Sequence, residues 1–512
     1  MLWLALHLPL LSLETFCATL AAAEGDQPPV ALIDDHHVHS VNTAAAERGV
    51  RAGLKRATAL ALAGDLQLAD RCARRDAAAL QAVAHAALVF TPAVTQHNEQ
   101  TVLLEVHASL RLFGGLQQLR KQLAAALAPL NHRVQMAAAP TALGAALLAE
   151  WFPDKLLAQR GEDPVEGPHA TQLRALQQLL GQAPVWMLGP GREHWEALQG
   201  MGLKTLSDLR QLPRSGVARR FGEPLLEKLD QAFGDQPDPR VWVELPPVFA
   251  SRLELFGRAE TTDQVQHGAD VLLARLVAWA QARQARVRSF TLHMLHERQR
   301  QTLLPPTELV VEMAEPALDI AHLQMLLGER LGRIELAAPT LELQLSCSQT
   351  VAAPAPNGEL FPTRASVAQG LLRLLERLRA RLGEEQVQRL VPVADHRPER
   401  ASIAVPWITP APTGVQPSPP LADPDLPLHR PAWLLPEPLP LAERGAMPML
   451  QGRPLQLLSG PERIESGWWD GGLIARDYYI AAAEDGSLVW VFHSRLGPVP
   501  GEVNWYLQGR FA

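Results

Sequence analysis

The first 25 residues, MLWLALHLPLLSLETFCATLAAAEG (1–25), decide what kind of chain follows. Apolar at its start and closed by Ala21, Ala22 and Ala23, the stretch has the outline of a secretory signal peptide with a small-residue cleavage site. Such a peptide needs a positively charged start, because that charge orients the segment during translocation. None is present: the first Lys or Arg is Arg48, and the apolar run is interrupted by His7 and Pro9 and followed by Glu14. The run is also too short for a membrane-spanning helix, which needs about 20 apolar residues. The competing reading is a buried strand over residues 2–8, running into a helix that Pro9 and Ser12 help to start.

Composition favours that second reading and a cytoplasmic protein. Cys17, Cys72 and Cys347 are odd in number, far apart and without metal-ligand spacing, so neither a disulfide framework nor a zinc site is expected. With 512 residues, 47% hydrophobic and 20% charged, the chain can bury several cores. A net charge of -7 excludes a broadly basic polyanion binder. Contact with nucleic acid then requires a local concentration of cations.

Residues 401–450 hold 13 of the 43 prolines, which predicts an extended linker unable to build helix or sheet ladders. Beyond it lie all three tyrosines, Tyr478, Tyr479 and Tyr506, with Trp468, Trp469, Trp490 and Trp505, which predicts a small β module with its own aromatic core. Earlier, ALIDDHHVHSV (31–41) alternates about a polar centre and predicts a hairpin turning near Asp34 and Asp35. Its His36, His37 and His39 lack a helical H-E-x-x-H partner, so strand residues are expected rather than a metal site. Residues 42–87 read as helical and 101–106 as a strand.

In the stretch 184–234, GMGLKTLSDL (200–209) has the form of a helix-hairpin-helix. Gly202 permits the turn, and exposed backbone N–H groups beside Lys204 could meet phosphate. A plain helical hairpin is the alternative. Residues 249–349 then follow a β-α-β-β-α-β order, with two helices on one face of four strands in a ferredoxin-like arrangement. Arg283, Arg286, Arg288, Arg298 and Arg300 cluster around its second strand with only Glu297 opposing them. That fits a groove tracking a nucleic acid backbone, a solvated face being the bland alternative.

Taken in order, these stretches resemble the Y-family translesion DNA polymerases, and more closely the polymerase-like members of bacterial mutasome cassettes. The resemblance rests on VNTAAAERGVRAGL (41–54), FTPAVTQHNEQTVLLEVHASLRLFGG (90–115), GLKTLSDLRQLPRSGVARRFG (202–222), and in the tail GPERIESGWWDGG, ARDYYIA and WYLQGRFA. It implies an α+β right hand: palm at 1–40 and 88–180, fingers at 41–87, helix-hairpin-helix thumb at 181–243, little finger at 244–350. A clamp-binding segment and amphipathic helix at 351–400, the linker at 401–455 and a partner-binding module at 456–512 would follow.

An active member holds two Mg2+ ions on carboxylates, which neutralise the triphosphate and activate the primer hydroxyl. Aligning Glu14 with the acid that closes the family's first motif puts Ala5 and His7 where its aspartates lie. Aligning Leu104-Glu105-Val106 with the second motif puts Gln100 and Thr101 at its Asp-Glu pair. In the fingers, Thr43 and Ala46 replace the Tyr and Arg that grip the triphosphate. Metal and nucleotide sites fail together, which implies a fold without catalysis and without a cofactor. The alternative is an active polymerase using Mg2+ on Glu14, Glu99 or Glu105 in a shifted alignment.

The resemblance further implies a DNA-damage and SOS-mutagenesis role beside DNA, the sliding clamp (β subunit), a DnaE-type error-prone polymerase and a RecA-like accessory protein, with no membrane. Asn357, Glu359, Leu360 and Phe361 resemble the clamp-binding pentapeptide, with Asn for its Gln and Glu for its Asp. Packing of Leu360 and Phe361 on their own domain is the alternative. In SVAQGLLRLLERLRARLGEE (366–385), Leu371, Leu374, Leu375, Leu378 and Leu382 share one side, with Arg373, Arg377, Arg379 and Arg381 largely opposite. That pattern predicts a helix capping a domain core, a partner- or DNA-binding helix being the alternative.

Overall fold

The computed structural model describes residues 1–20, 28–151, 165–166, 170–297, 305–352, 364–383, 385–407, 430–431, 433–496 and 504–511. They form two compact units, Met1–Arg381 and Leu382–Ala512.

The opening stretch is a strand, Trp3–His7, at the centre of a five-stranded sheet. It pairs antiparallel with Thr101–Glu105 on one side and Gln135–Ala139 on the other, and Val94–Asn98 and Val165–Glu166 complete the sheet. Leu4 and Leu6 pack toward the helices Ala73–Ala87 and Leu116–Leu127, whereas Trp3 and Ala5 pack toward the helix Ala142–Glu150. A strand covered on both faces needs apolar residues at every position, and this is why its sequence mimics a leader peptide. Among the described residues no helix is long and apolar enough to cross a membrane.

The expected helix over residues 42–87 is interrupted. Only Ala73–Ala87 is long; before it come Thr43–Glu47, Arg56–Leu62 and a strand, Gln67–Asp70, parallel to Val30–Asp34. Gly49 and Gly53 adopt positive φ between the short helices, which turns the chain where a continuous helix would otherwise run. The hairpin of Val30–Asp34 with His37–Val41 turns through Asp35 and His36.

Helices from Leu173–Gly181 to Glu223–Phe233 form the thumb and share an apolar cluster with Ala142–Glu150. The little finger follows its expected element order: Phe249–Ala259, helix Thr262–Ala282, Ala285–His296, Thr307–Ala317, helix Ile320–Leu331, Thr340–Ala352. Thr340–Ala352 lies between Phe249–Ala259 and Ala285–His296, and Ala285–His296 lies between Thr307–Ala317 and Thr340–Ala352, so both β-α-β units are split. The long helix starts on a reciprocal capping box between Thr261 and Gln264. It also packs on Ala73–Ala87, placing Ala274 and Ala278 in the palm cluster.

The second unit holds a two-stranded ladder, Gln388–Pro392 with Ser402–Pro406, and a seven-stranded antiparallel sheet. Strand formation within residues 401–455 corrects the expectation of a linker throughout; residues 408–429 lie outside the described residues. Trp433–Arg444 is a strand despite Pro436, Pro438 and Pro440. Spaced by two, the prolines lack donors along a single edge, so the other edge remains free to pair with Trp505–Arg510. The proline edge is paired only beyond them, where Ala442–Arg444 meets Met447–Met449.

Candidate functional site

At the end of the central palm strand, His7 lies opposite Thr101 on one neighbour and Gln135 on the other. His7 Nδ1 and Thr101 Oγ1 share a 3.0 Å hydrogen bond, and all three side chains are buried. Burial lowers the His7 pKa to about 4, so the imidazole is neutral at pH 7. Ala5 sits between Leu103 and Ala137 in an apolar layer, and the Gln100 carbonyl accepts from the Leu8 N–H at 2.8 Å. The two motif alignments therefore converge, in three dimensions, on a place furnished with neutral groups. Such a set can hydrogen-bond, but it offers no carboxylate to a hard cation.

The carboxylates of the shifted alignment are committed elsewhere. Glu14 accepts from the Arg133 N–H at 3.0 Å and lies 3.4 Å from His132. Glu99 pairs with Arg71. Glu105 is opposite Trp3, four residues or about 13 Å along the strand from Thr101, and accepts from the Leu2 N–H at 3.2 Å. Among the described residues no three His, Cys, Asp and Glu side chains gather as a metal site would require. Thr43 and Ala46 stand on the exposed side of the short helix Thr43–Glu47, whose Asn42 cap accepts from the Ala45 N–H. His36, His37 and His39 are exposed around their hairpin.

The residues expected to contact DNA lie in two places. In the helix hairpin, Gly202 has φ +81°, but the N–H groups around it are already bonded: Gly202 to Gln199 O, Leu203 to Leu198 O, and Lys204 to the Asp208 carboxylate at 3.1 Å. The same carboxylate completes the capping box with Thr205. On the little finger, Arg286 and Arg288 lie on the second strand, but Glu308, Glu312 and Glu342 occupy neighbouring strands on the face turned away from the helices. Glu297 pairs with Arg258 at 3.1 Å, and Arg283 stacks over Trp279 and donates to the Pro246 carbonyl. The sheet is therefore charge-mixed rather than uniformly basic. Arg298, Arg300 and the clamp-motif residues Asn357, Glu359, Leu360 and Phe361 lie outside the described residues.

The helix Arg364–Leu382 is rotated from its expected face, with Leu375 and Leu378 half-buried and Arg377 and Arg381 exposed. Glu376, Arg379 and Ala380 are buried, while Leu371, Leu374 and Leu382 are each 53% exposed. The inward side is set by Glu376, which bonds His322 Nε2 at 2.8 Å and accepts from the Glu315 N–H. A buried ionisable partner on the little finger outweighs a leucine stripe, because stranding either group unpaired costs more than exposing leucines.

A second cluster escaped the sequence reading. Arg74, Arg75, Arg252 and Arg275 line a cavity of about 200 Å3 together with His85 and Cys72. The available signal was Arg74 and Arg75 in the first turn of a helix, where the positive end of the dipole disfavours cations.

The central mixed sheet, the short-helix segment, the helical cluster and the split β-α-β domain give the chain a right-hand arrangement similar to that of the Y-family polymerases, with a C-terminal sheet extension. Among solved structures, the chain is similar to a Dbh ternary complex, at 14% identity and a TM-score of 0.38, covering 69% of this chain and 99% of the other. It is also similar to DinB of Sulfolobus solfataricus, at 16% identity and a TM-score of 0.36, covering 69% of this chain and all of the other. No family model matches. In sequence, the chain is similar to proteins named ImuB. It is 28% identical over 485 residues to Protein ImuB of Caulobacter vibrioides strain NA1000, covering 90% of this chain and 100% of the relative, and it matches the ATCC 19089 strain equally.

Proposed function

We propose that the protein is a non-catalytic DNA-binding scaffold of translesion synthesis that links the sliding clamp to an error-prone DnaE-type polymerase (ImuC) and a RecA-like protein (ImuA). The observation that carries the proposal is the neutral, buried His7–Thr101 pair facing Gln135, where a working palm gathers carboxylates. Removing metal ligands from a preserved fold abolishes phosphoryl transfer but leaves binding surfaces usable. The match to ImuB over that relative's full length supports the mutagenic role. Asn357-Gly358-Glu359-Leu360-Phe361 supports clamp attachment, because an apolar Leu-Phe plug suits a hydrophobic pocket.

Primer extension with Mg2+ and with Mn2+ tests the catalytic half. The expected result is no incorporation above background; incorporation that disappears on replacing Glu14, Glu99 or Glu105 would overturn the scaffold reading. For the clamp, a Leu360→Ala, Phe361→Ala double variant should lose affinity for purified clamp, and unchanged affinity removes that assignment.

A further inference from the structure

The arginine-lined cavity lies where the N-terminus of the helix Ala73–Ala87 meets the first little-finger strand and the helix Thr262–Ala282. Its four guanidinium groups face one carboxylate, Glu254. Glu254 approaches Arg74 only to 3.7 Å at an exposed site, where the pair is worth little. Arg252 is engaged outward with Glu342 at 3.6 Å.

Among the described residues, the two inner arginines lack acidic partners. Arg75 stacks over Phe16 with its Nε and Nη2 buried and without any hydrogen bond. Arg275 is 5% exposed and, among the described residues, donates only to Ser251 Oγ at 3.2 Å and the Arg252 carbonyl at 3.4 Å. Burial pulls its pKa down to about 10, the direction expected of a cation without a counter-charge. His85, 6% exposed, has a buried Nε2 with no partner, and burial lowers its pKa to about 4. The helix that carries Arg74, Arg75 and His85 starts at Cys72 without a side-chain cap.

Buried donors are normally satisfied, and buried charges are normally paired. Guanidinium forks, an imidazole nitrogen and an uncapped helix start on one cavity form a donor set for a tetrahedral oxyanion. We propose that this cavity is a phosphate-binding site, with Arg75 and Arg275 as its principal donors and His85 as a further one. The phosphate is either free or part of a DNA backbone. The DNA source rests on the scaffold reading, whereas the free source stands without it.

The test uses the full chain and two probes. Thermal shift and calorimetry are run with inorganic phosphate and pyrophosphate at fixed ionic strength, and anisotropy with a primer–template duplex over a salt series. If the source is free phosphate, saturable binding should weaken tenfold or more in Arg75→Gln. If the source is the backbone, free phosphate has no effect, and Arg75→Gln weakens DNA binding several-fold and lowers the salt slope by about 1. Arg275→Met supplies a second variant, and Arg75, only half-buried, keeps the test usable should that one misfold. Wild-type affinity and salt slope in Arg75→Gln for both probes would overturn the site, as would a wild-type chain that binds neither probe. Phosphate binding without DNA binding would leave the site standing and remove the scaffold reading.

Discussion

The chain buries arginines in two opposite ways. In the C-terminal unit, Arg397 has a side chain 3% exposed and surrounds itself with acceptors: both Asp395 oxygens, both Asp470 oxygens at 3.0 and 2.6 Å, and the Gly472 carbonyl. Those bonds raise its pKa and draw the Asp470 carboxyl down to about 2. In the first unit, Arg275 is buried to a similar extent and meets only a hydroxyl and a carbonyl. Desolvation alone then decides, and it pushes the pKa in the opposite direction. Sealed with carboxylates, an arginine is a structural rivet; left without them, it keeps its affinity for an anion that has yet to arrive.

The sharpest way to break that contrast is to remove both cations. Arg397→Met takes the guanidinium from Asp395 and leaves Asp470 with Arg400 alone, and it should produce the largest effect, early melting of the C-terminal unit, read by near-UV circular dichroism. Placing an unpaired charge in the palm should come next. Ala5→Asp puts a carboxylate between Leu103 and Ala137 and should cost about 3–5 kcal/mol in urea denaturation while restoring no polymerase activity. The neutral palm can also be titrated. His7 has a folded pKa of about 4 against an ordinary 6.5, so as pH falls between those values the unfolded chain takes up a proton that the folded chain refuses. Stability should drop across that window and level off below it, and His7→Gln should abolish up to about 3 kcal/mol of the drop.

Opposite in sign to Arg397→Met, Arg275→Met should leave the ligand-free protein unchanged or more stable, by up to about 4 kcal/mol, because an apolar group replaces a charge that had no partner. Smallest is the acid response of Asp470. Its lowered pKa contributes stability above the ordinary 3.8 that is lost as pH falls toward about 2, so Trp469 fluorescence should change within that window.

Much of the fold was legible because it depends on local order. The central strand, the β-α-β-β-α-β finger and the aromatic C-terminal sheet follow from apolar runs and turn residues. What the sequence hid was the choice of tertiary partners. Leu371, Leu374 and Leu382 of the helix Arg364–Leu382 face outward because Glu376 finds His322, 54 residues away in sequence. The Lys204 N–H is unavailable because Asp208, a residue of the same motif, folds back onto it. The alternating prolines became strand because a sheet edge can omit donors on one side. In the palm, the neutral residues were visible but not their mutual contact, since strand register decides that His7 meets Thr101. The arginine cavity had only a faint trace, cations in the wrong turn of a helix, because what distinguishes it is the lack of acids brought close by folding.

The loop held by Arg397 carries one more consequence. Gly467 at φ +86° has no room for a side chain, its Cβ position being 2.2 Å from the Gly472 carbonyl oxygen, so the turn that presents Trp468 and Trp469 tolerates little variation. The two indoles meet edge to face, 4.6 Å between centroids and 84° between planes, and both are largely exposed. At that separation their electronic transitions are coupled, and the pair is a built-in optical antenna. A molecule that settles on the loop, or an acid pH that releases it, would be registered as a change in the pair's exciton signal without any added label.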